Sequence, residues 1–322
     1  MTNTPCDILA PNALPRSPSC RGWKTLVSSA ALAAYALIAG CASHPLNQGN
    51  LNMTRTERAP QPKTGHAPVN GISMYYEIHG DAAGIPLVLL HGGGSSIEVT
   101  YGRVLPFFAR HRQVIALDEQ AHGRTTDRDT PLRFASSAAD VAALLERLEI
   151  VRADVMGFSN GASVALQLAI RHPARVRKLV FASSMSKRSG ASPQFWQFMA
   201  KASFEDMPQA LKDAFLKLNP DPEKLRVMHD KDLERMQHFV DTSDDELRSL
   251  QAPTLVLLGD HDVPTPEHAL ELTRLIPQAQ LIILPGGHGD YLGELIVARK
   301  GSRYPELTAG LIEEFLDAAS VE

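Results

Sequence analysis

The sequence has few cysteines, and all of them lie close to its amino terminus. Cys6, Cys20 and Cys41 are the three in a chain of 322 residues. The long segment after Cys41 therefore holds no thiol for a disulfide bond or a thiolate metal site. The sequence thus excludes a domain held together by disulfides or by a cysteine-bound metal.

A strong charge of either sign is also missing. The 32 basic and 36 acidic side chains leave a net charge of −4 at pH 7, and the basic residues are scattered along the chain. Nucleic acid is therefore not predicted as a partner. Neither an H-E-x-x-H spacing nor a glycine-rich phosphate loop before a helix occurs, so we predict no metal and no organic cofactor.

The apolar run near the amino terminus is shorter than the about 20 residues that a membrane-spanning helix needs. It extends from Leu26 to Gly40, basic residues precede it, and Cys41 follows it directly. This is the pattern of an export signal. The motif L-I-A-G-C at residues 37–41 resembles the bacterial lipobox, which implies cleavage before Cys41 and attachment of acyl chains to that cysteine.

We therefore predict a lipoprotein-type signal peptide at residues 1–40. The mature protein is expected in the cell envelope, anchored to the membrane through lipid on Cys41 and facing the periplasm. An uncleaved anchor, or an ordinary signal cleaved near Ala42, stays open as an alternative.

The rest of the chain divides into a tether, a core and an insertion. Residues 41–67 are rich in Pro, Asn, Gln, Thr and charged groups without an apolar period, which predicts a flexible tether. Apolar strands then alternate with helical stretches, as in an α/β fold with a mainly parallel sheet, and we predict a core at 68–184 and 251–319. The alternation stops between 185 and 250, where aromatic and methionine residues stand at helical spacing.

Residues 157–161 read G-F-S-N-G between a strand-like segment and a helix-like segment. Strand, sharp turn and helix form the setting in which the serine of a G-x-S-x-G motif becomes a nucleophile. Glycines on both sides have no Cβ atoms, which leaves room for a strained turn that exposes the serine Oγ. The motif alone also fits an ordinary glycine turn before a helix, so other segments must decide.

Three further apolar runs end in residues that suit such a serine. The first precedes H-G-G-G at 91–94, whose backbone N–H groups suit a developing oxyanion. The second precedes D-H-D at 260–262, which suits an acid, and the third precedes P-G-G-H-G at 285–289, which suits a histidine base. The chain order is therefore serine, acid, histidine, each just past a predicted strand.

These motifs and their order resemble the α/β-hydrolase superfamily over residues 69 to 319, and within it the bacterial esterase-like members with a helical cap. The resemblance implies an α/β-hydrolase fold, with a mainly parallel central sheet, flanking helices and a small cap formed by residues 185–250. It also implies a serine hydrolase that cleaves a small to medium carboxylic ester through an acyl-enzyme. Other serine chemistry of the superfamily, carbon–carbon bond hydrolysis or haloperoxidase-like activity, and a non-catalytic ligand-binding lipoprotein stay open.

Carried over residue by residue, the resemblance implies Ser159 as the nucleophile, Asp262 as the acid and His288 as the base. It implies the backbone N–H groups of Gly93 and Asn160 as oxyanion donors.

Two features of the sequence complicate these assignments. Asp260 lies on the same turn as Asp262, and either carboxylate suits the cap of the next helix; the family spacing favours Asp262. Relatives typically read D-x-R-G-x-G-x-S after the predicted strand at residues 114–117, whereas residues 118–125 read D-E-Q-A-H-G-R-T. We therefore expect the hydrogen bonds of this loop to be arranged differently, and we expect His122 to be a loop residue near the site rather than a catalytic one.

Overall fold

The computed structural model describes residues 61–319. The predicted signal peptide, the predicted lipid-attachment residue Cys41 and the tether up to residue 60 lie outside the described residues. Within 61–319, no helix is both long enough and apolar enough to cross a bilayer.

The described residues form one eight-stranded sheet whose spatial order is β1-β2-β4-β3-β5-β6-β7-β8. The first two strands pair antiparallel, β2 pairs antiparallel with β4, and all other neighbours are parallel. This mainly parallel sheet confirms the predicted fold class. The strands are β1 (Lys63–Val69), β2 (Ile72–His79), β3 (Leu87–Leu90), β4 (Val114–Leu117), β5 (Ala153–Phe158), β6 (Val176–Ala182), β7 (Thr254–Gly259) and β8 (Ala279–Leu284).

Helices cover both faces of the sheet, so the central strands are buried on both sides. The side chains of β3 alternate between two core clusters, one packed under α3, α4 and α9 and the other under α1, α2 and α10. The helices are α1 (Ile97–Tyr101), α2 (Leu105–Phe108), α3 (Phe134–Arg147), α4 (Asn160–Arg171), α5 (Pro193–Met199), α6 (Gln209–Leu218), α7 (Pro222–Gln237), α8 (Asp244–Arg248), α9 (Pro266–Leu275) and α10 (Tyr304–Asp317).

The sheet begins earlier than the sequence predicts. Residues 63–67, placed in the tether, belong to β1, which pairs along its whole length with β2. Ala67 is buried in the same cluster as Val69, while the residues between and before them are mostly exposed. The sequence does not reveal β1 because an edge strand shows only a weak apolar alternation. Gly65 in this strand lies against the ring of Tyr76. The predicted turn at Asn70 and Gly71 joins the two strands, with positive φ at both residues.

The segment between β6 and β7 is helical, as predicted, but its two ends differ in packing. Helices α5, α6 and α7 pack with one another in small clusters of their own. Helix α8 instead places Leu247 in the main core beside α9, and Leu250 joins it there. The inserted helices that pack outside the main core are therefore α5, α6 and α7, which end before α8. The sequence predicts instead that the cap extends to residue 250.

Substitution Ala67→Asp is expected to lower the free energy of unfolding by about 2 kcal/mol or more, because it buries an unpaired carboxylate in the main core. Denaturant unfolding of the full chain measures the change. Gln61→Asp adds the same charge at an exposed position just before β1 and is the control, expected within about 0.5 kcal/mol of the parent. Equal stability of all three proteins would return residues 63–67 to the tether.

Candidate functional site

Ser159 is the single residue between β5 and α4, and its backbone forms a strained turn. Its φ of 54° and ψ of −122° lie in a region that residues with a Cβ rarely adopt. The turn closes tightly, because a Cβ on Gly157 would lie 2.1 Å from the Gly161 carbonyl oxygen, and one on Gly161 would lie 2.2 Å from the Leu90 oxygen. Only glycine fits at either position. The predicted strand, sharp turn and helix are thus all present.

The structure brings the predicted serine, histidine and acid into one hydrogen-bonded chain. His288 Nε2 lies 3.1 Å from Ser159 Oγ, and His288 Nδ1 lies 2.7 Å from Asp262 Oδ1. Because Asp262 only accepts when ionised, Nδ1 carries a proton and Nε2 of the neutral ring is free to accept one from the serine. The ring of His288 also packs on Phe158, with 4.7 Å between ring centroids.

The structure separates the two aspartates of the acid turn. The Asp262 side chain is fully buried and also accepts the N–H groups of Gly259 and Val263. Asp260 points away from the chain of hydrogen bonds: its half-exposed carboxylate accepts the Gly286 N–H and pairs with His261. The sequence left both Asp260 and Asp262 open as the acid, and the structure places Asp262 in contact with His288.

The charges of this pair shift both pKa values. Burial opposes ionisation of Asp262, but the hydrogen bonds and charge of His288 outweigh it, and the pKa of Asp262 lies below its usual value. Burial likewise disfavours the His288 cation, but the bond to Asp262 and its negative charge outweigh this effect and raise the pKa of His288 above 6.5.

Two side chains that the sequence did not single out complete the environment of Asp262. Ser183 Oγ donates to Asp262 Oδ2 at 2.5 Å and lies 2.5 Å from the hydroxyl of the buried Tyr291. Ser183 also has a positive φ of 51°, a second strained residue at the carboxyl edge of the sheet. The only signal for this contact in the sequence is the Ser-Ser pair at residues 183–184, directly after β6.

Glu294 is a second buried carboxyl group near His288. Its backbone N–H donates to the Gly289 oxygen at 3.2 Å, and its side chain is 5% exposed. Burial raises the pKa of Glu294 to about 7, with the charge of His288 opposing and that of Asp262 adding to the shift. Below that pH the group is mostly neutral, so Asp262 supplies the negative charge that acts on the histidine.

The two predicted oxyanion donors flank the serine. No hydrogen bond within 61–319 uses the N–H of Gly93 or that of Asn160, which leaves both free for a ligand. Asn160 is also the first residue of α4, where the partial positive charge of the helix dipole favours an anion. The next amide along, that of Gly94, donates instead to Asp232 of α7.

A buried cluster of charged residues joins α7 to the loop after β4. Arg235 is 1% exposed; its Nη1 donates to Glu119 at 2.8 Å and its Nη2 donates to Asp232. The His122 Nε2 lies 3.5 Å from the Asp232 carboxylate as an ion-pair contact. Burial disfavours the His122 cation, but the interaction with Asp232 and the negative charges of Asp232 and Glu119 outweigh it and raise the pKa of His122. This is the different arrangement expected of residues 118–125, and His122 lies near the site within this cluster.

A cavity of about 290 Å³ opens above Ser159 and His288. Its walls come from the carboxyl edge of the sheet and from α5, α6 and α7. The apolar side chains that line it are Met185, Phe195, Phe198, Met199, Met207, Leu211, Leu233, Met236, Phe239 and Val263. No group of three potential metal ligands occurs among residues 61–319. The arrangement presents an activated hydroxyl to a mostly apolar molecule.

Comparison with known proteins agrees with this geometry. The family model of the alpha/beta hydrolase fold matches residues 85–234. The chain has the α/β-hydrolase fold, and this part of it is similar in sequence to that superfamily. A 2-hydroxy-6-oxo-2,4-heptadienoate hydrolase of Pseudomonas putida is 29% identical over 243 residues, which cover 63% of this chain and 82% of the relative. A pyrrolizixenacetamide deacetylase of Xenorhabdus hominickii is 27% identical over 65% of this chain and 85% of its own.

Solved structures of α/β-hydrolases show the same fold. The 2-hydroxy-6-oxo-6-phenylhexa-2,4-dienoate hydrolase of Rhodococcus sp. strain RHA1 superposes with a TM-score of 0.65 at 22% identity, covering 80% of this chain and 99% of the other. The enol-lactonase of Burkholderia xenovorans LB400 superposes with a TM-score of 0.61 at 23% identity, over 79% and 100% of the two chains. The chain thus has the α/β-hydrolase fold, and the fold alone does not decide what its site cleaves.

Substitution Asp262→Asn is expected to lower the pKa of His288 below that of the parent, because the negative charge is lost while the burial of the ring remains. An NMR titration of the histidine ring measures this pKa. Asp260→Asn is the matched control, since it removes an equal charge from the same turn without touching His288. If Asp260→Asn gave the larger shift, the acid of the site would have to be reassigned.

Proposed function

We propose that this protein is a serine hydrolase that cleaves small to medium carboxylic esters through an acyl-enzyme. The observation that carries the proposal is the chain of hydrogen bonds from Ser159 through His288 to Asp262 beneath an apolar cavity. The roles of nucleophile, base and acid each correspond to a contact in this chain of hydrogen bonds. The free amides of Gly93 and Asn160 supply the oxyanion site that the reaction also requires.

In the first step, Ser159 Oγ attacks the ester carbonyl carbon while His288 Nε2 takes the hydroxyl proton. The carbonyl oxygen becomes an oxyanion between the N–H groups of Gly93 and Asn160. Asp262 keeps the imidazole in the right tautomer and stabilises the imidazolium that forms. The carbon–oxygen bond to the alcohol then breaks, and His288 returns the proton to the leaving alkoxide.

In the second step, water replaces the alcohol. His288 takes a proton from the water, whose oxygen attacks the acyl carbon, and the bond to Ser159 Oγ breaks with return of the proton to the serine. The products are a carboxylic acid and the free enzyme. Water is the co-substrate that completes these two steps.

Carbon–carbon bond hydrolysis is the second candidate, because the relative from Pseudomonas putida is named for a dienoate. A haloperoxidase-like activity has similar support, since a non-heme chloroperoxidase of Streptomyces lividans is 35% identical over 36% of this chain and 42% of its own. Ester cleavage is preferred because the cavity walls are mostly apolar and have no lysine or arginine among the described lining residues, whereas a dienoate carries a carboxylate.

Substitution Ser159→Ala is expected to lower kcat/KM for 4-nitrophenyl esters by at least about 10⁴-fold, since it removes the nucleophile and leaves the fold intact. A panel of esters of graded chain length, assayed with parent and variant, measures the effect. Because His288 accepts a proton only when neutral, the rate should rise with pH through a pKa above 6.5.

Ser163→Ala serves as the control, because Ser163 lies in the same helix and lines the cavity but bonds to Ser184 rather than to His288. Ester turnover that survives Ser159→Ala, or the absence of turnover and of fluorophosphonate labelling in the parent, would refute the proposal. The second result favours a non-catalytic ligand-binding lipoprotein.

We also propose that the enzyme is exported and anchored in the cell envelope through lipid on Cys41, facing the periplasm. The L-I-A-G-C motif after an apolar run supports this location. Substitution Cys41→Ser is expected to move the protein from the membrane fraction to the soluble fraction and to remove the mass of the acyl chains. Cys20→Ser is the control and should change neither. Fractionation and mass spectrometry decide, and a parent protein without acyl chains would contradict the anchor.

A further inference from the structure

The cavity above Ser159 has no lysine or arginine among the described residues that line it. Its ionisable wall residues are Asp206, His229, Asp232 and His288. Two of these four are carboxylates, and none is lysine or arginine. A substrate carboxylate that entered this cavity would lose water and find no permanent cation, which is costly in a mostly apolar site. The two histidines are cationic only when protonated, and His288 must be neutral to act as the base.

Asp232 is the carboxylate placed closest to the proposed oxyanion site. Its side chain is 10% exposed, its Oδ2 accepts the Gly94 N–H at 2.6 Å, and its Oδ1 accepts Asn160 Nδ2 at 3.1 Å. A Cβ built on Gly93 would lie 2.4 Å from both Asp232 Oδ2 and Asn160 Nδ2, so the carboxylate sits directly against the loop. A second anion in this part of the cavity would meet the charge of Asp232 at short range.

The nearest arginine cannot serve a substrate carboxylate. Arg235 is 1% exposed, and its two terminal nitrogens already donate to Glu119 and Asp232. Two carboxylates share one guanidinium, so the cluster has no surplus positive charge. Protonation of His122, which lies 3.5 Å from Asp232, brings the cluster only to neutrality.

Other basic residues of the inserted helices lie outside the cavity wall. Lys212 and Arg226 pack on the ring of Phe204, with 4.5 Å and 4.3 Å to its centroid, and none of these three lines the cavity. The apolar wall and the paired arginine therefore leave hydrophobic contact as the main interaction that the cavity offers to an acyl group.

We infer that Asp232 is a specificity-determining residue, which makes this site selective for uncharged esters with an apolar acyl group and excludes substrates that carry a carboxylate there. The inference rests on the proposed ester hydrolysis and names its substrate class. It separates this chain from the dienoate specificity in the name of its Pseudomonas relative.

The test compares 4-nitrophenyl pentanoate with mono-4-nitrophenyl glutarate. The two esters have the same acyl length and differ in a terminal methyl group against a carboxylate. After subtraction of the rate with Ser159→Ala, the full-length parent should show a kcat/KM at least about 100-fold higher for the pentanoate, from desolvation and like-charge repulsion. A ratio below about threefold would overturn the inference.

Substitution Asp232→Asn should narrow this ratio by about tenfold or more, mainly through a higher kcat/KM for the glutarate, because the amide oxygen still accepts the Gly94 N–H while the charge is gone. Asp213→Asn is the matched control: it removes an equal charge from the exposed side of α6, where Asp213 bonds to Gln209, and should leave the ratio unchanged. An unchanged ratio in folded Asp232→Asn would contradict the assignment to Asp232.

Two further measurements keep the inference testable if that variant does not fold or if no ester is turned over. Phe198→Lys adds a cation at a half-exposed position of the cavity wall and should also raise activity on the glutarate. Calorimetry of Ser159→Ala with the 4-nitroanilides of the two acids compares binding without turnover. Tighter binding of the pentanoyl compound supports the inference even if ester hydrolysis fails, and equal binding refutes it.

Discussion

Parallel pairing from β3 through β8 is the constraint on which the site depends, because it brings the carboxyl ends of distant strands to one edge of the sheet. Ser159 follows β5, Ser183 follows β6, Asp262 follows β7 and His288 follows β8. Neighbouring parallel strands lie about 5 Å apart, close to the reach of one side chain to the next. Asp262 therefore reaches Ser183 and His288 at the neighbouring strand ends, whereas Ser159 lies three strands from β8, about 15 Å away, and the loop after β8 carries His288 back toward the serine. The strained φ values at Ser159 and Ser183 arise where the strands end.

The hydrogen bonds around Asp262 extend this arrangement into the interior. The buried carboxylate accepts from His288, Ser183 and two backbone amides, which together offset the cost of removing its charge from water. A carboxylate held in this way has little freedom to rotate. The orientation of the imidazole toward Ser159 thus follows from packing and satisfied hydrogen bonds beneath it, and the serine is positioned before any substrate arrives.

The sequence predicted those parts of the fold whose signal is local. Continuous apolar runs identified the buried strands, and glycine spacing identified the turn at Ser159, because each depends on neighbouring residues only. Strand β1 was missed because an edge strand buries little more than Ala67 and Val69. The contact of Ser183 with Asp262 and that of Asp232 with Gly94 join residues 79 and 138 positions apart. No pattern within one segment predicts these long-range contacts, because only the folded chain brings the residues together.

The buried cluster of Glu119, Asp232 and Arg235 is better explained by geometry than by stability. Burying three charges costs several kcal/mol per ion, and well-packed apolar residues in their place are often neutral or stabilising. What apolar residues do not supply is directional contact. Through Arg235 the cluster fixes α7 to the loop after β4, and through Asp232 it fixes the same helix to the amide of Gly94. The helix that forms one wall of the cavity is thereby coupled to the loop that holds the oxyanion donor at Gly93. A shift of α7 would change both the shape of the acyl pocket and the aim of that donor, so this ion cluster links which substrate fits to how well its transition state is stabilised.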